Sequence, residues 1–261
     1  RYCGMNLPLQ QGDNRPQFTV LMAVCRGDDS GLFYRAIESI YHNSVLPDRV
    51  LLVVDGPVPP STESVIIHYQ TARGLDVVRL AKNQGLAGAL NHGLHCIDTE
   101  WVVRADSDDI NLPDRFEALI GMMAQGYDLI GSAVQEVERD GFPLAVRSPP
   151  TSGAEIVKFC RYRNPFNHMT VAFRHHMAIA CGGYPRIHLK EDYGLWATMI
   201  RYGARCANLA QVTVLATAGR DMYKRRGGWR YASAEMAIQQ HLVRQGLKSI
   251  PAAIVHGLLR A

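Results

Sequence analysis

The sequence predicts an α/β fold: a mostly parallel central sheet with helices on both faces, and a smaller half of mixed strands after it. Three observations carry that reading. Over residues 18–125, short apolar runs alternate with segments whose apolar residues recur at helical spacing, as in strand–helix–strand crossovers. Three of the apolar runs end in polar clusters, where open α/β sheets take their ligands. Beyond about Gly126 the alternation loosens, and strand-like segments follow one another less regularly.

Residues 1–17 show no periodicity and read as an N-terminal arm. Phe18–Val24 is a short apolar run of the fully buried kind. Asp29 and Ser30 are N-caps for a helix carrying Phe33, Ile37, Ile40 and Tyr41. Val50–Val54 is a second buried strand, stopped by Asp55-Gly56-Pro57. A helix near Ser64–Gln70 leads to a third strand at Val77–Leu80, and Gly85–Ile97 is helical with Leu86, Leu90 and Leu94 on one stripe. Trp101–Arg104 is a fourth strand running into Ala105-Asp106-Ser107-Asp108-Asp109, after which Pro113 opens a helix with Phe116, Leu119, Ile120 and Met123.

In the second half, Leu129–Val137, Met169–Phe173 and Cys206–Leu215 read as strands. Glu155–Arg161, Leu195–Tyr202 and Tyr231–Gln245 read as helices, and Gly182–Pro185 as a turn. Residues 18–246 form one domain in this reading, with a nucleotide-binding half 18–125 and an acceptor-side half 126–246; the Pro/Ser stretch Arg147–Ser152 is the best candidate boundary, joining parts of one domain rather than two free domains. Residues 247–261 are a C-terminal tail: either a cut basic amphipathic helix that continues at a membrane surface, or a simple packing helix.

Composition narrows the function classes. At 47% hydrophobic and 20% charged residues the chain is an average globular one, which excludes whole-chain disorder, collagen and coiled coil. The net charge of +4 favours anionic partners such as nucleotides or a lipid surface. It is too small for a nucleic-acid groove, since only Lys224-Arg225-Arg226 clusters. Cys3, Cys25, Cys96, Cys160, Cys181 and Cys206 have no metal or disulfide spacing, so reduced thiols in a cytoplasmic protein are expected. No apolar run approaches the roughly 18–20 residues of a spanning helix.

Several segments hold residues that could do chemistry. Cys25-Arg26-Gly27-Asp28, Asp55-Gly56-Pro57 and Asp106-Ser107-Asp108-Asp109 each follow a strand, where a carboxylate either caps a turn or binds a ligand. Asp106 and Asp108, one residue apart, suit a hard cation such as Mg²⁺ or Mn²⁺ bridging to a diphosphate. Asn83-Gln84-Gly85 opens a helix, which serves an anion or sugar hydroxyl, or only close helix–sheet packing. Glu191 and Asp192 either cap a helix or supply a general base for a sugar hydroxyl. Met222–Trp229, with its basic and aromatic residues, is a lid over phosphate or a solvated loop. His168 lines a site or is a satisfied structural histidine, and His175-His176 is a surface pair.

Taken in order, these segments resemble a family 2 glycosyltransferase of the GT-A fold, a Rossmann-like architecture. The nearest likeness is to the bacterial branch that assembles polysaccharide, O-antigen and lipopolysaccharide. The strings that carry it are Val53-Val54-Asp55-Gly56-Pro57, Asn83-Gln84-Gly85-Leu86, Arg104–Asp109 with Leu112–Phe116, Asn164–His168, Gly182-Gly183-Tyr184, Glu191-Asp192-Tyr193, and Asp221-Met222-Tyr223 with Arg225–Gly228. The resemblance implies inverting transfer of a hexose from a UDP-sugar to a glycan or a polyprenyl-diphosphate-linked acceptor, with Mn²⁺ or Mg²⁺ as cofactor. It implies peripheral contact with the cytoplasmic face of the inner membrane.

Carried over residue by residue, the resemblance puts Cys25, Arg26, Asp55, Asn83, Gly85, Arg104, Asp106, Ser107 and Asp108 at the nucleotide, with Arg225 and Arg226 closing on phosphate. Asp106 and Asp108 fall on the metal, Asp192 on the base with Glu191 beside it, and Asn167, His168 and Trp196 on the acceptor side. One departure stands out: Cys25-Arg26 replaces the family's usual Tyr-Asn-type dipeptide. The rival readings are a sugar nucleotidyltransferase, against which the acidic Cys25–Asp29 loop argues, and a non-catalytic nucleotide- or sugar-binding domain.

Overall fold

A computed structural model describes residues 15–218 and 229–260. The first half runs β1 (Phe18–Cys25), α1 (Ser30–Tyr41), β2 (Arg49–Asp55), α2 (Pro60–Arg73), β3 (Asp76–Leu80), α3 (Leu86–Leu94) and β4 (Trp101–Arg104). Then come β5 (Ile110–Asn111), α4 (Arg115–Met123), β6 (Leu129–Val137), β7 (Pro143–Arg147), α5 (Gly153–Cys160), a 3₁₀ turn at His168–Thr170 and β8 (Ala172–Arg174). The chain closes with α6 (His175–Ala180), α7 (Glu191–Arg201), β9 (Cys206–Thr217), α8 (Trp229–Arg244) and α9 (Ile250–Arg260).

The strands join one sheet in the order β3-β2-β1-β4-β8-β6-β9-β5, with β7 added to β6. β3, β2, β1 and β4 are parallel throughout. β8 runs antiparallel between β4 and β6, β9 pairs parallel with β6, and β5 and β7 are antiparallel additions. The α/β architecture and the change to mixed pairing therefore follow the sequence pattern. Alternate side chains of β1 feed opposite faces, as the pleat requires. Leu21 joins Leu51, Val53, Leu90 and Trp196 under α3 and α7. Val20 and Met22 join Phe33, Ile37, Leu52 and Phe116 under α1 and α4.

Several boundaries differ from the sequence pattern, each for a local reason. α2 begins at Pro60, because a proline at the first helical position has no N–H to lose. Pro113 sits ahead of α4, whose N-cap is Asp114. The expected strand over 169–173 begins with a 3₁₀ turn, leaving β8 three residues long. β5 is too short and β7 too exposed to show alternation. His175, expected as half of a surface pair, is half-buried with Nε2 2.8 Å from the Leu94 carbonyl, because α6 packs at the end of α3.

Beside the β4–β8 and β5–β9 ladders, a side-chain contact joins the parallel strands' helices to the later part of the chain. Asn91 on α3 pairs both ways with the Tyr184 backbone: its amide donates to the Tyr184 carbonyl at 2.8 Å and its oxygen accepts the Tyr184 N–H at 2.7 Å. Gly183 approaches so closely, at φ +72, that a Cβ would fall 2.3 Å from Asn91 Oδ1. Within the second half, the 147–152 stretch lies on β9, where the Asn208 amide donates to the Pro150 carbonyl at 2.7 Å. In the tail, α9 packs on α8 through Ala253 and Gly257, leaving Ile250, Ile254, Val255, Leu258 and Leu259 exposed. Among the described residues, no helix is long and apolar enough to cross a membrane.

Gly93 lets α3 lie directly on the sheet. A Cβ there would stand 2.5 Å from Leu21 Cδ1 and 3.0 Å from Val53 Cγ2. Gly93→Ala should therefore overpack this layer and cost about 1–3 kcal/mol, read as a lowered urea midpoint with an unchanged slope.

Candidate active site

The site is built on Arg104, the last residue of β4, whose side chain is only 1% exposed. Parallel pairing with β1 puts its guanidinium beneath the carboxyl ends of both strands. There it donates to the Leu21 carbonyl and, at 2.9 Å, to the Ala105 carbonyl. It also donates to Asp106 Oδ1 and, through Nε at 3.1 Å, to His168 Nε2. A second buried guanidinium, Arg115 at the start of α4, donates to the Arg104 carbonyl at 2.7 Å and to the Asn111 side chain. Burial, with Arg104 close by, pushes Arg115 down to about 9. Arg104 thus acts through Asp106, and its own donors are spent inside the protein.

His168 accepts from Arg104, so its neutral ring carries the proton on Nδ1, which lies 3.8 Å from Asp106 Oδ1. Burial and the Arg104 charge push its pKa below the usual histidine value. Asp109 is buried and held well above the usual carboxylate range by burial and by Asp108 and Asp106, while accepting the Thr217 N–H at 2.8 Å. The Thr217 hydroxyl donates to the Asp108 carbonyl at 2.5 Å. The end of β9 thereby fixes the turn that exposes the Asp108 carboxylate.

Asp106, Asp108, Asn167, His168, Lys190 and Asp192 all line one cleft of about 970 Å³. Asp192 is in the first turn of α7, which begins at Glu191. Its Oδ2 accepts from the Asn164 amide at 2.6 Å and its Oδ1 from the Tyr193 N–H at 2.7 Å. Sequence reasoning did not assign Asn164 this role; 28 residues separate it from Asp192, and no periodic signal joins them. Lys190, just before the pair, reaches Glu235 at 3.1 Å and lies 4.8 Å above the Tyr231 ring. Asn167 is held by the Ser132 carbonyl at 2.9 Å. Trp196, expected on the acceptor side, is fully buried and packs against Phe166, Phe173 and Tyr184, so it backs His168 from the core.

The remaining expected residues gather at the ends of β1 and β2. Cys25 and Asp55 are register partners, and the Cys25 thiol is pushed up by burial. Buried Asp55 accepts the Gln84 N–H at 2.7 Å, while the Asn83 amide donates to the Asp55 carbonyl at 3.2 Å. Gly56 permits this approach: at φ +85, a Cβ would stand 2.7 Å from the Asn83 nitrogen. Gly85 precedes α3 at φ +77, Arg26 is exposed, and Ser107 is half-buried in the turn between the two aspartates. Arg225 and Arg226 lie outside the described residues.

Among the described residues, no cluster of three His, Cys, Asp or Glu side chains could hold a metal alone. The donor set still fits a Mg²⁺ or Mn²⁺ ion. Asp106 and Asp108 offer hard carboxylate oxygens at the cleft, the ligand type such an ion takes.

With this geometry, comparison with known proteins is decisive. The pattern described as "Glycosyl transferase family 2" matches residues 19–183. The chain belongs to this family. As a glycosyltransferase of its bacterial polysaccharide-assembly branch, it is 36% identical over 250 residues to the Escherichia coli UDP-Gal:alpha-D-GlcNAc-diphosphoundecaprenol beta-1,3-galactosyltransferase, covering 95% of this chain and 91% of that one. It is 36% identical over 223 residues to the amylovoran biosynthesis glycosyltransferase AmsE of Erwinia amylovora, covering 85% and 84%. In fold it is similar to S. aureus TarS 1-349 in complex with UDP-GlcNAc, with a TM-score of 0.71 at 16% identity over 94% of this chain and 72% of the other.

Glu191 gives the glycosyltransferase a pH signature. Burial first, then the Asp192 charge, pushes its carboxyl from 4.5 up to about 7. The folded protein then keeps a proton that the unfolded chain has already lost, so native stability falls as pH rises between these values. The cost is complete above about 7 and amounts to at most about 3 kcal/mol. Glu191→Gln removes it: urea midpoints should show the variant gaining on the wild type at pH 8 and losing most of that gain at pH 5.

Proposed function

We propose that this glycosyltransferase moves a hexose from a UDP-sugar to a hydroxyl of a lipid-linked saccharide, with inversion at the anomeric carbon. The observation that carries the reading is the shared cleft: Asp106 and Asp108 line it from the sheet, and Asp192 lines it from the start of α7. The chemistry divides along that line. Asp192, oriented by Asn164, takes the acceptor hydroxyl proton as the oxygen attacks the anomeric carbon. The bond from that carbon to the diphosphate breaks with its electron pair leaving on UDP, so an α-linked donor yields a β-linkage and no covalent enzyme intermediate forms.

Asp106 and Asp108 would hold Mg²⁺ or Mn²⁺ on the donor diphosphate, where a cation offsets the charge developing on the leaving group. Arg104 keeps Asp106 aimed at that position, and neutral His168 supports the same carboxylate. By the resemblance, Cys25 borders the nucleotide, Asp55 meets the uracil ring and Asn83 faces base and ribose. Arg225 and Arg226 belong to the phosphate side by the sequence resemblance alone. The name of the E. coli relative, with its diphosphoundecaprenol acceptor, supports a polyprenyl diphosphate carrier here.

Such an acceptor is confined to a membrane, and α9 suits peripheral contact with one, in this reading the cytoplasmic face of the inner membrane. Its exposed Ile254, Val255, Leu258 and Leu259 give an apolar face, and residues 236–261 contain Arg244, Lys248 and Arg260 but no acidic residue. A helix of this kind lies in the interface plane and is drawn to anionic lipid.

Two measurements test the reading. Calorimetric titration should give UDP binding that depends on Mn²⁺ and exceeds GDP and TDP binding; failure with every nucleotide on folded protein rejects it. Asp192→Asn should lower kcat by about 10²–10⁴-fold with UDP affinity nearly intact, whereas Asp108→Ala should weaken metal-dependent UDP binding itself.

A further inference from the structure

The cleft contains more cations than a neutral sugar acceptor requires, and most of them are already neutralised. Arg139 meets Asp29 at 3.4 Å, Arg147 meets Glu136 at 3.3 Å, and Lys190 meets Glu235 at 3.1 Å. Arg163 differs. It lines the same cleft and is exposed, and among the described residues its guanidinium has no carboxylate or hydrogen-bond partner. An exposed guanidinium lining a concave site suits an oxyanion, which its planar fork can grip in two places.

Its place in the chain narrows the ligand. Arg163 immediately precedes Asn164, which holds Asp192 at 2.6 Å, so the two Cα atoms are about 3.8 Å apart. Arg163 and Asp192 line the same cleft, so the cation lies on the side where the attacking hydroxyl enters. On its other side, Tyr162 packs edge-on against His256 of α9 at 5.2 Å and lies 5.6 Å from the Lys248 ammonium. Arg163 thus joins the cleft to the helix with the apolar face. The donor diphosphate has a separate place in this geometry, at Asp106 and Asp108 on the sheet side.

We propose that Arg163 binds the diphosphate of the acceptor, at the point where the saccharide enters the cleft and the lipid turns away over α9. This rests on the lipid-linked acceptor of the preceding section and adds the residue that reads its diphosphate. Exposed and outside any helix or strand, Arg163 tolerates substitution without threat to folding.

The test compares wild type, Arg163→Ala and Arg163→Lys in two ways. Binding of farnesyl diphosphate is measured with UDP and Mn²⁺ saturating, so that the donor site is filled. Wild type should bind, Arg163→Ala about tenfold or more weakly, and Arg163→Lys in between. Transfer is then measured to a sugar carried on a lipid diphosphate and to the same sugar as an alkyl glycoside. The preference for the diphosphate acceptor should fall about tenfold in Arg163→Ala, through acceptor KM, with donor KM unmoved. A wild type that ignores the probe, an equal affinity in Arg163→Ala, or an unchanged acceptor preference overturns the proposal. Probe binding that depends on Arg163 without transfer to either acceptor upholds the diphosphate site and rejects the lipid-linked transferase reading instead.

Discussion

The buried guanidinium of Arg104 is the interaction on which the rest of this site depends. Removing such an ion from water costs several kcal/mol unless every donor is met. Here the donors are met by the β1 backbone, by the residue after β4, by Asp106 and by the ring beside the 3₁₀ turn. Three stretches of chain, β1, the end of β4 with the two residues after it, and the 3₁₀ turn, must come together to neutralise one charge. The aspartate that results is positioned by the sheet rather than by a loop, which is the kind of support a preorganised site needs. Arg115 extends the arrangement by one shell, fixing the Arg104 carbonyl and Asn111 on the strand that pairs with β9.

Much of this fold was legible in the sequence, because the parallel half has strands buried on both faces. Runs such as Val50–Val54 and Trp101–Arg104 have no polar position to interrupt them, and the helices between them show one apolar stripe each. The second half was less legible for the opposite reason. β7 is exposed along most of its length and β5 is a two-residue strand held by a partner far away in sequence, so neither alternation nor length marks them, while β8 showed only as the end of a longer expected strand. Helix starts were misplaced where proline or an acidic pair allowed two readings, as at Pro60 and Glu191.

The candidate site divides in the same way. Strand ends are visible in a sequence, so Cys25, Asp55, Asp106 and Asp108 were nominated from position alone. What each side chain does there is a property of three dimensions. Arg104 and Trp196 stand among the nominated residues, yet one is spent on internal hydrogen bonds and the other on aromatic packing. Asn164 and Thr217, which hold Asp192 and the Asp108 turn, are uncharged residues in unremarkable surroundings, and only the folded chain shows what they meet.

The Pro/Ser stretch over 147–152 is where a reader of the sequence would cut the chain in two. The sheet forbids a clean cut there. A fragment ending at residue 147 would lose β8 and β9, leaving β4 with one bare edge and β6 with only β7 beside it. Bare, flat, apolar edges invite pairing with other chains. Separately expressed halves would thus be aggregation-prone, and reassembly in trans would have to rebuild four strand ladders at once. For the same reason the cleft does not open by hinging one half against the other: whatever admits and releases substrate must move as loops or helices over a continuous sheet.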